Sequence, residues 1–154
     1  MSPESRLTEL GLTLPPAPKP KGLYRPVLVV GNLAFTSGHL PMSPDGALIT
    51  GRLGADLAVD AGRAAAFRTG LGILVSLREA LGSLDRVRRV VKLLGLVQCT
   101  LEFTAQPAVI DGCSELLRDV FGPQDGVGAR SAFGVSALPL GAAVEIEAVF
   151  EIEA

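Results

Sequence analysis

The sequence predicts an α+β fold in which two helices cover one face of a β-sheet. Two long segments carry apolar residues at spacings of three and four, which is typical of helices that bury one side. Several shorter segments are alternating or continuously apolar, which is typical of strands. The order is hairpin, helix, strand, helix, strand, strand, without an internal repeat. The 154 residues, 48% of them hydrophobic, are enough for one domain with a single core.

The first two strands are predicted to form a hairpin. Val27 to Val30 is an apolar run, Gly31-Asn32 is a turn signal, and a second strand runs from Leu33 to Ser37.

The longer helix is predicted over residues 56–82. Asp56 is a candidate N-cap, and Gly82 is a candidate for the left-handed residue that ends a helix. Glycines weaken a helix, so those inside this one are expected to allow close approach to another backbone, that of the sheet. They are Gly62, Gly70 and Gly72.

The second helix is predicted from Pro107 to Phe121, with Gly122-Pro123 ending it. Its apolar residues form one clear stripe: Val109, Ile110, Cys113, Leu116, Leu117 and Val120.

The strand between the two helices, within residues 87–101, is apolar on both faces. Two helices cover only one face of the sheet, so the other face must meet something else. A second copy of the same sheet is the simplest answer, which predicts a homo-oligomer. A barrel-like curl closed within one chain remains the alternative.

Composition excludes several classes of protein. The net charge of −2 and the lack of a basic run disfavour nucleic-acid binding. No apolar stretch resembles a membrane span or a signal peptide, so a cytoplasmic location is expected. Cys99 and Cys113 are expected to be buried thiols, and with one histidine they cannot form a CxxC-type zinc site, so no metal is expected. Residues 1–21, rich in proline from Pro15 to Pro20, are predicted to form an arm lying on a single domain of residues 22–154, with a disordered arm as the alternative.

Two charged residues stand in strands that otherwise resemble core. Arg130 is the one cation among small and apolar residues, and Glu145 lies in a strand that alternates apolar and acidic residues. A cation in a strand needs an anion, because an unpaired buried charge is costly. That anion could be a ligand, or a carboxylate of Glu145, Glu147 or Glu151 across a subunit boundary. The acidic alternation could also be a solvated face.

Three sequence motifs resemble those of the reactive-intermediate deaminase family, also called RidA or YjgF-like. They are Ser37-Gly38-His39-Leu40-Pro41, the run from Ala129 to Leu138-Pro139, and Val144-Glu145-Ile146-Glu147-Ala148. Arg130 and Glu145 have the family's separation, and the resemblance extends over about residues 22–153.

The resemblance implies a chorismate-mutase-like fold: a mixed sheet backed by two helices on one face, with three copies packing through the other face into a homotrimer. Leu138 to Gly141 looks like a hairpin connection, but the family topology implies that the strand near Val91 lies between the last two strands. The pockets are then expected in clefts between subunits.

The resemblance also implies hydrolysis of reactive enamines and imines, such as 2-aminoacrylate, to 2-keto acids and ammonia. No metal or organic cofactor is expected, because an imine is already electrophilic. Arg130 would bind the substrate carboxylate with its guanidinium fork, Glu145 would activate water and move a proton, and Tyr24 would orient substrate or water.

Four further residues are expected at the substrate. The main chain near Gly38 and Ala132 would bind its polar ends, and Asp111, where asparagine is common in the family, would alter the charge of the pocket rim. His39, the sole histidine, is either a pocket residue or a satisfied buried histidine. A non-catalytic module that binds or senses small carboxylates, and a purely structural trimer, remain alternative functions on the same fold.

Overall fold

The computed structural model describes residues 1–154, with three helices and five strands. In chain order they are α1 (Pro3–Glu9), β1 (Val27–Val30), β2 (Leu33–Thr36), α2 (Val59–Leu81), β3 (Val87–Gln98), α3 (Gln106–Phe121), β4 (Ala129–Val135) and β5 (Val144–Ile152). Short 3-10 turns lie at Leu84–Arg86 and Pro139–Gly141. None of the helices has the length and apolarity needed to cross a membrane.

The five strands form one mixed sheet in the order β1-β2-β5-β3-β4. β4 runs parallel to β3, and the other neighbours are antiparallel. Gly95 of β3 is paired with Ala132 of β4 on one side and with Ile146 of β5 on the other. The expected position of β3 between the last two strands is therefore confirmed, and residues 138–141 cross over β3 rather than closing a hairpin.

The helices α2 and α3 lie together on one face of this sheet, and the core is between the two layers. Leu93, Ile146 and Phe150 point into it and are almost completely buried. The opposite, helix-free face carries apolar side chains that stay substantially exposed in the single chain: Leu28 (47%), Phe35 (40%) and Phe133 (49%). The prediction of two helices on one sheet face is confirmed.

The ends of α2 show one prediction wrong and one confirmed. Asp56 does not cap the helix, because its carboxylate accepts a hydrogen bond from the main-chain N–H of Arg52 at 3.0 Å, and α2 begins three residues later. Gly82 has φ +85° and ends the helix in the left-handed conformation, as expected.

The glycines of α2 face a different neighbour from the one expected. A Cβ at Gly70 would collide with side chains of α3, and a Cβ at Gly62 would collide with Leu53 and with Val109 of α3. From the other helix, a Cβ at Gly112 would collide with the main-chain carbonyl of Arg63. These glycines therefore bring α2 and α3 close together.

The N-terminal segment lies on the helix layer. Leu7 of α1 is buried, and the Glu4 carboxylate accepts hydrogen bonds from the guanidinium of Arg78 (2.8 and 3.2 Å) and from the N–H of Leu84 (2.9 Å). Arg6 donates to the carbonyl of Val120. These contacts join α1 to the C-terminal parts of both long helices.

Candidate functional site

Arg130 lies on the edge strand β4 and points to the helix side of the sheet. Its Nη1 donates hydrogen bonds to Asp111 Oδ1 at 2.6 Å and to Ser114 Oγ at 3.2 Å, both on α3. The side chain is 27% exposed. Neither Nε nor Nη2 has a hydrogen-bond partner within the chain, so one edge of the guanidinium is held and the other edge is open.

A groove of about 230 Å³ adjoins this guanidinium, between β4, α3 and the loop that precedes β4. Asp111, Ser114 and Arg130 form its polar end. Most of the remaining wall is apolar side chain or glycine backbone: Val90, Leu93, Leu117, Gly126, Val127 and Gly128. The groove can therefore hold a small molecule that has a charged end and an apolar end.

Packing between α3 and the sheet fixes where Asp111 lies. The side chain of Ile110 occupies the space above Gly95, where a Cβ would overlap it. Asp111 is the next residue of the helix, and Ala132, paired with Gly95, lies two residues from Arg130. The seating of Ile110 on Gly95 thus sets the position of Asp111 along β4.

A second arginine joins the cluster. Arg63 of α2 donates to Glu115 Oε2 at 2.7 Å, and its Nη1 lies 4.0 Å from Asp111 Oδ2. The hydrogen bond that Arg63 donates to Glu115 is the main cause of the raised pKa of Arg63. Arg63, Ser114 and Glu115 were not among the residues selected from the sequence. The signal for Ser114 and Glu115 was their spacing from Asp111, at i+3 and i+4 on one helix, whereas Arg63 comes from the other helix and had no such signal.

Glu145 lies on the helix-free face, because its neighbours Val144 and Ile146 are fully buried on the other side of β5. Burial raises the pKa of the Glu145 carboxyl, and the negative charge of Glu147 raises it further. Gly38 adjoins this carboxylate so closely that a Cβ at that position would overlap it. Gly38 and Glu145 are therefore neighbours, as a shared site requires.

One chain does not bring Arg130 and Glu145 together. They lie on opposite faces of the sheet, with β3 between their strands. In register, Arg130 is opposite Leu93 and Glu145 is opposite Leu96, so they are separated by two strand spacings and three residues, about 10 Å in each direction. A small substrate cannot contact both within one chain.

Tyr24 lies far from Arg130, but the next residue, Arg25, accepts through its carbonyl a hydrogen bond from the hydroxyl of Ser37, which precedes Gly38. Tyr24 precedes β1, at the edge of the sheet opposite β4, and its ring is about half exposed. Its hydroxyl accepts a long hydrogen bond from the N–H of Lys21 at 3.4 Å.

His39 lies in the core and does not line the groove beside Arg130. It pairs with Ile146 and points to the helix side, where it is 6% exposed. Nδ1 lies 2.7 Å from the carbonyl of Ser37, so this nitrogen donates, and Nε2 of the neutral ring accepts from the Ser76 hydroxyl at 2.8 Å. Burial lowers the pKa of His39, outweighing the opposite effect of the Ser37 carbonyl. The alternative of a satisfied buried histidine fits these contacts.

The cysteines are free and buried, and burial raises the pKa of the Cys113 thiol to about 12. The Cys113 thiol is therefore not activated as a nucleophile. No group of three or more histidine, cysteine, aspartate or glutamate side chains is arranged to hold a metal ion.

The family model described as "YjgF/chorismate_mutase-like, putative endoribonuclease" matches residues 4–151. The chain belongs to the YjgF family. Protein TCP17 of Trypanosoma cruzi is 43% identical to this YjgF-family chain over 148 residues, which cover 96% of the chain and 92% of that protein.

Solved structures agree with this assignment. The crystal structure of a putative endoribonuclease from Shewanella oneidensis superposes with a TM-score of 0.93 at 33% identity, covering 99% of the YjgF-family chain and all of the other. The crystal structure of RidA from the Antarctic bacterium Psychrobacter sp. superposes with a TM-score of 0.62 at 28% identity, covering 88% and 94%. The chorismate-mutase-like α+β fold is thus shown by the sheet topology and by the family.

Proposed function

We propose that this protein hydrolyses reactive 2-imino acids, and the enamines in equilibrium with them, to 2-keto acids and ammonia. The observation that carries the proposal is the guanidinium of Arg130, which is held through Nη1 and open on its Nε–Nη2 edge beside a partly apolar groove. A planar carboxylate fits that edge with two parallel hydrogen bonds. The apolar wall suits the carbon side chain of the same substrate.

Glu145 supplies the proton chemistry. A carboxyl with a raised pKa is better matched to accepting and returning a proton near neutrality. Water bonds to C2 of the imine, and Glu145 takes a proton from it. C2 then carries a hydroxyl and an amino group, and Glu145 returns the proton to the amino nitrogen. As the C–N bond breaks and ammonia leaves, an electron pair of the hydroxyl oxygen forms the C=O bond of the 2-keto acid, and the hydroxyl proton passes to Glu145 and from there to the ammonia. No cofactor takes part in this sequence of steps.

The active unit of this proposal is a homotrimer with pockets between subunits. Arg130 of one copy and Glu145 of the next meet only if the β4 edge of one subunit packs against the helix-free face of its neighbour. Three features support this arrangement: the separation of the two residues in one chain, the exposed apolar side chains on the helix-free face, and the open edge of β4. Tyr24 and Gly38 would complete the pocket from the same subunit as Glu145.

An endoribonuclease function, which the names of some relatives suggest, finds less support in this chain. The exposed face of β5 carries Glu145, Glu147 and Glu151, and carboxylates repel a phosphate backbone. The net charge of the chain is also negative.

The test is release of a 2-keto acid while an amino-acid dehydratase or oxidase generates the imine in the same cuvette. We expect the protein to accelerate this release, and we expect Arg130→Ala to reduce the acceleration at least about 100-fold, because the carboxylate loses its bidentate partner. Glu145→Gln, which preserves shape and removes proton transfer, is expected to lower kcat similarly.

Arg118→Ala serves as the matched control. This exposed arginine, also on the helix layer, pairs with the adjacent Asp119 and is not part of the groove. Saturable binding of a 2-keto acid that depends on Arg130 but brings no acceleration would instead identify a binding or sensing module. Full activity of Arg130→Ala would contradict the proposed site.

A further inference from the structure

The groove ends in a balanced cluster of charges. Arg130 and Arg63 contribute two positive charges, and Asp111 and Glu115 contribute two negative charges. Asp111 stands between the arginines, with Oδ1 2.6 Å from Arg130 Nη1 and Oδ2 4.0 Å from Arg63 Nη1. A ligand at the open edge of Arg130 therefore meets a guanidinium whose charge is already largely balanced.

This balance affects the substrate and the product differently. A protonated 2-imino acid carries a carboxylate and a positively charged nitrogen, so its net charge is zero. The 2-keto acid formed from it carries the carboxylate alone. Both can make the same two hydrogen bonds to Nε and Nη2, but the nearby Asp111 carboxylate repels the anion and attracts the nitrogen of the zwitterion.

We propose that Asp111 is a specificity-determining residue, which makes the Arg130 site favour zwitterionic 2-imino acids over the anionic 2-keto acids that they yield. This inference rests on the proposed function. Asp111 also positions Arg130, because its hydrogen bond to Nη1, together with that of Ser114, leaves the Nε–Nη2 edge directed away from α3. Charge selects the ligand, and the hydrogen bond orients the guanidinium.

Two substitutions distinguish the effect of the Asp111 charge from the effect of its hydrogen bond to Arg130. Asp111→Asn retains an oxygen that can accept from Nη1 and removes the charge. Asp111→Ala removes both. We expect Asp111→Asn to tighten the binding of 2-oxobutanoate about tenfold and to make that binding weaken with added salt, because an unbalanced guanidinium now faces the anion.

Asp111→Ala is expected to lower kcat of imine hydrolysis, and Asp111→Asn to restore most of it. If Asp111 had only a structural role, Asp111→Asn would not both restore kcat and bind 2-oxobutanoate more tightly.

Glu115→Gln is the matched control. It removes one negative charge from the same helix and the same cluster, but its partner is Arg63, not Arg130. We expect it to change the dissociation constant of 2-oxobutanoate less than about threefold, because a more distant, exposed charge is better screened.

The readout is direct titration of each full-length variant with 2-oxobutanoate, alongside product inhibition in the coupled assay. Three results would overturn the inference. The first is that Asp111→Asn binds 2-oxobutanoate no more tightly than the native protein, and the second is that neither of these two proteins binds it. The third is that Glu115→Gln changes the dissociation constant as much as Asp111→Asn does. The titration needs no turnover. A protein that binds 2-oxobutanoate as expected but does not accelerate hydrolysis would contradict the proposed deaminase function and leave the charge effect of Asp111 measured.

Discussion

The surroundings of Glu145, Arg130 and His39 differ in burial and in neighbouring charges. Glu145 stands on a half-covered face beside another carboxylate, and burial and the charge of Glu147 raise its pKa. Arg130 stands beside Asp111 and keeps a charged partner. His39 is enclosed between two serines and is held neutral. Of these three, His39 has a structural role that can be tested without an assay of activity.

The neutral state of His39 predicts a pH-dependent stability. Its pKa in the folded chain lies below the ordinary value of 6.5, so the unfolded chain binds a proton more readily. The stabilisation is present above pH 6.5 and is lost as the pH falls below it. We expect the free energy of unfolding to fall between pH 7.5 and pH 5 more steeply in the native protein than in His39→Gln.

Urea denaturation at both pH values measures this difference. Glu145, whose raised pKa favours the folded state at lower pH, titrates in both proteins, so the comparison cancels its contribution. Parallel pH profiles for the two proteins would show that His39 does not titrate in this way.

At the scale of elements, contact between α2 and α3 depends on glycine. Gly112 leaves no room for a side chain beside the carbonyl of Arg63, whereas a Cβ at Gly72 would meet only His39 Cδ2, at 3.7 Å. Main chain cannot move aside as a flexible side chain can. The two positions therefore offer a matched pair for measuring what helix contact contributes.

We expect Gly112→Ala to destabilise the protein by about 1–3 kcal/mol, because the helices must separate to admit the methyl group. Gly72→Ala is expected to be neutral or to stabilise by up to about 1 kcal/mol, since alanine favours the helix and its methyl group fits. Chemical denaturation of both variants gives the comparison. Similar changes in the two would mean that helix propensity, not close approach, governs Gly112.

At the scale of the whole molecule, the sheet has one covered face and one that a single chain leaves open. The helix-free face displays Leu28, Phe35 and Phe133, with the acidic residues of β5 between the aromatic side chains. Such a face is consistent with burial against a second copy. The same packing would bring Arg130 of one copy toward Glu145 of another, so assembly and the proposed catalysis are linked.

We expect the protein to have a mass in solution three times that of the 15.9 kDa chain. Phe133→Glu should lower this mass and reduce the rate of imine hydrolysis, because it introduces a charge into the proposed subunit contact. Leu10→Glu changes an exposed apolar residue on the helix layer instead and should alter neither. Light scattering coupled to gel filtration measures the masses, and a native monomer would contradict the assembly.

Features of the fold that depend on residues close together in the sequence could be predicted from it, whereas the order of the strands, which depends on distant residues, could not. The spacing of apolar residues in 59–81 and 106–121 marked both helices, and Gly82 marked an end. The place of β3 between β4 and β5 could not be read from the short loop at residues 138–141, and came from the resemblance to a family.

The candidate site was only partly predictable for a related reason. The residues around Arg130 do not alternate between polar and apolar, so the sequence does not show which face of the sheet Arg130 occupies. Its pairing with Asp111 was therefore not predicted. The capping role assigned to Asp56 was wrong because an N–H nearby in the chain, that of Arg52, competes for the carboxylate.

The packing of Ile110 on Gly95 fixes the position of α3 relative to β3 and its neighbour β4, and the charged cluster begins at the next residue of the helix, Asp111. A paired exchange of volume at these two buried positions, such as Gly95→Ala with Ile110→Ala, is expected to shift α3 slightly without changing any polar group. Such a shift would change the distance between the Asp111 carboxylate and the Arg130 guanidinium. Ligand preference could then be adjusted by engineering the core, with every ligand-contacting side chain left unchanged.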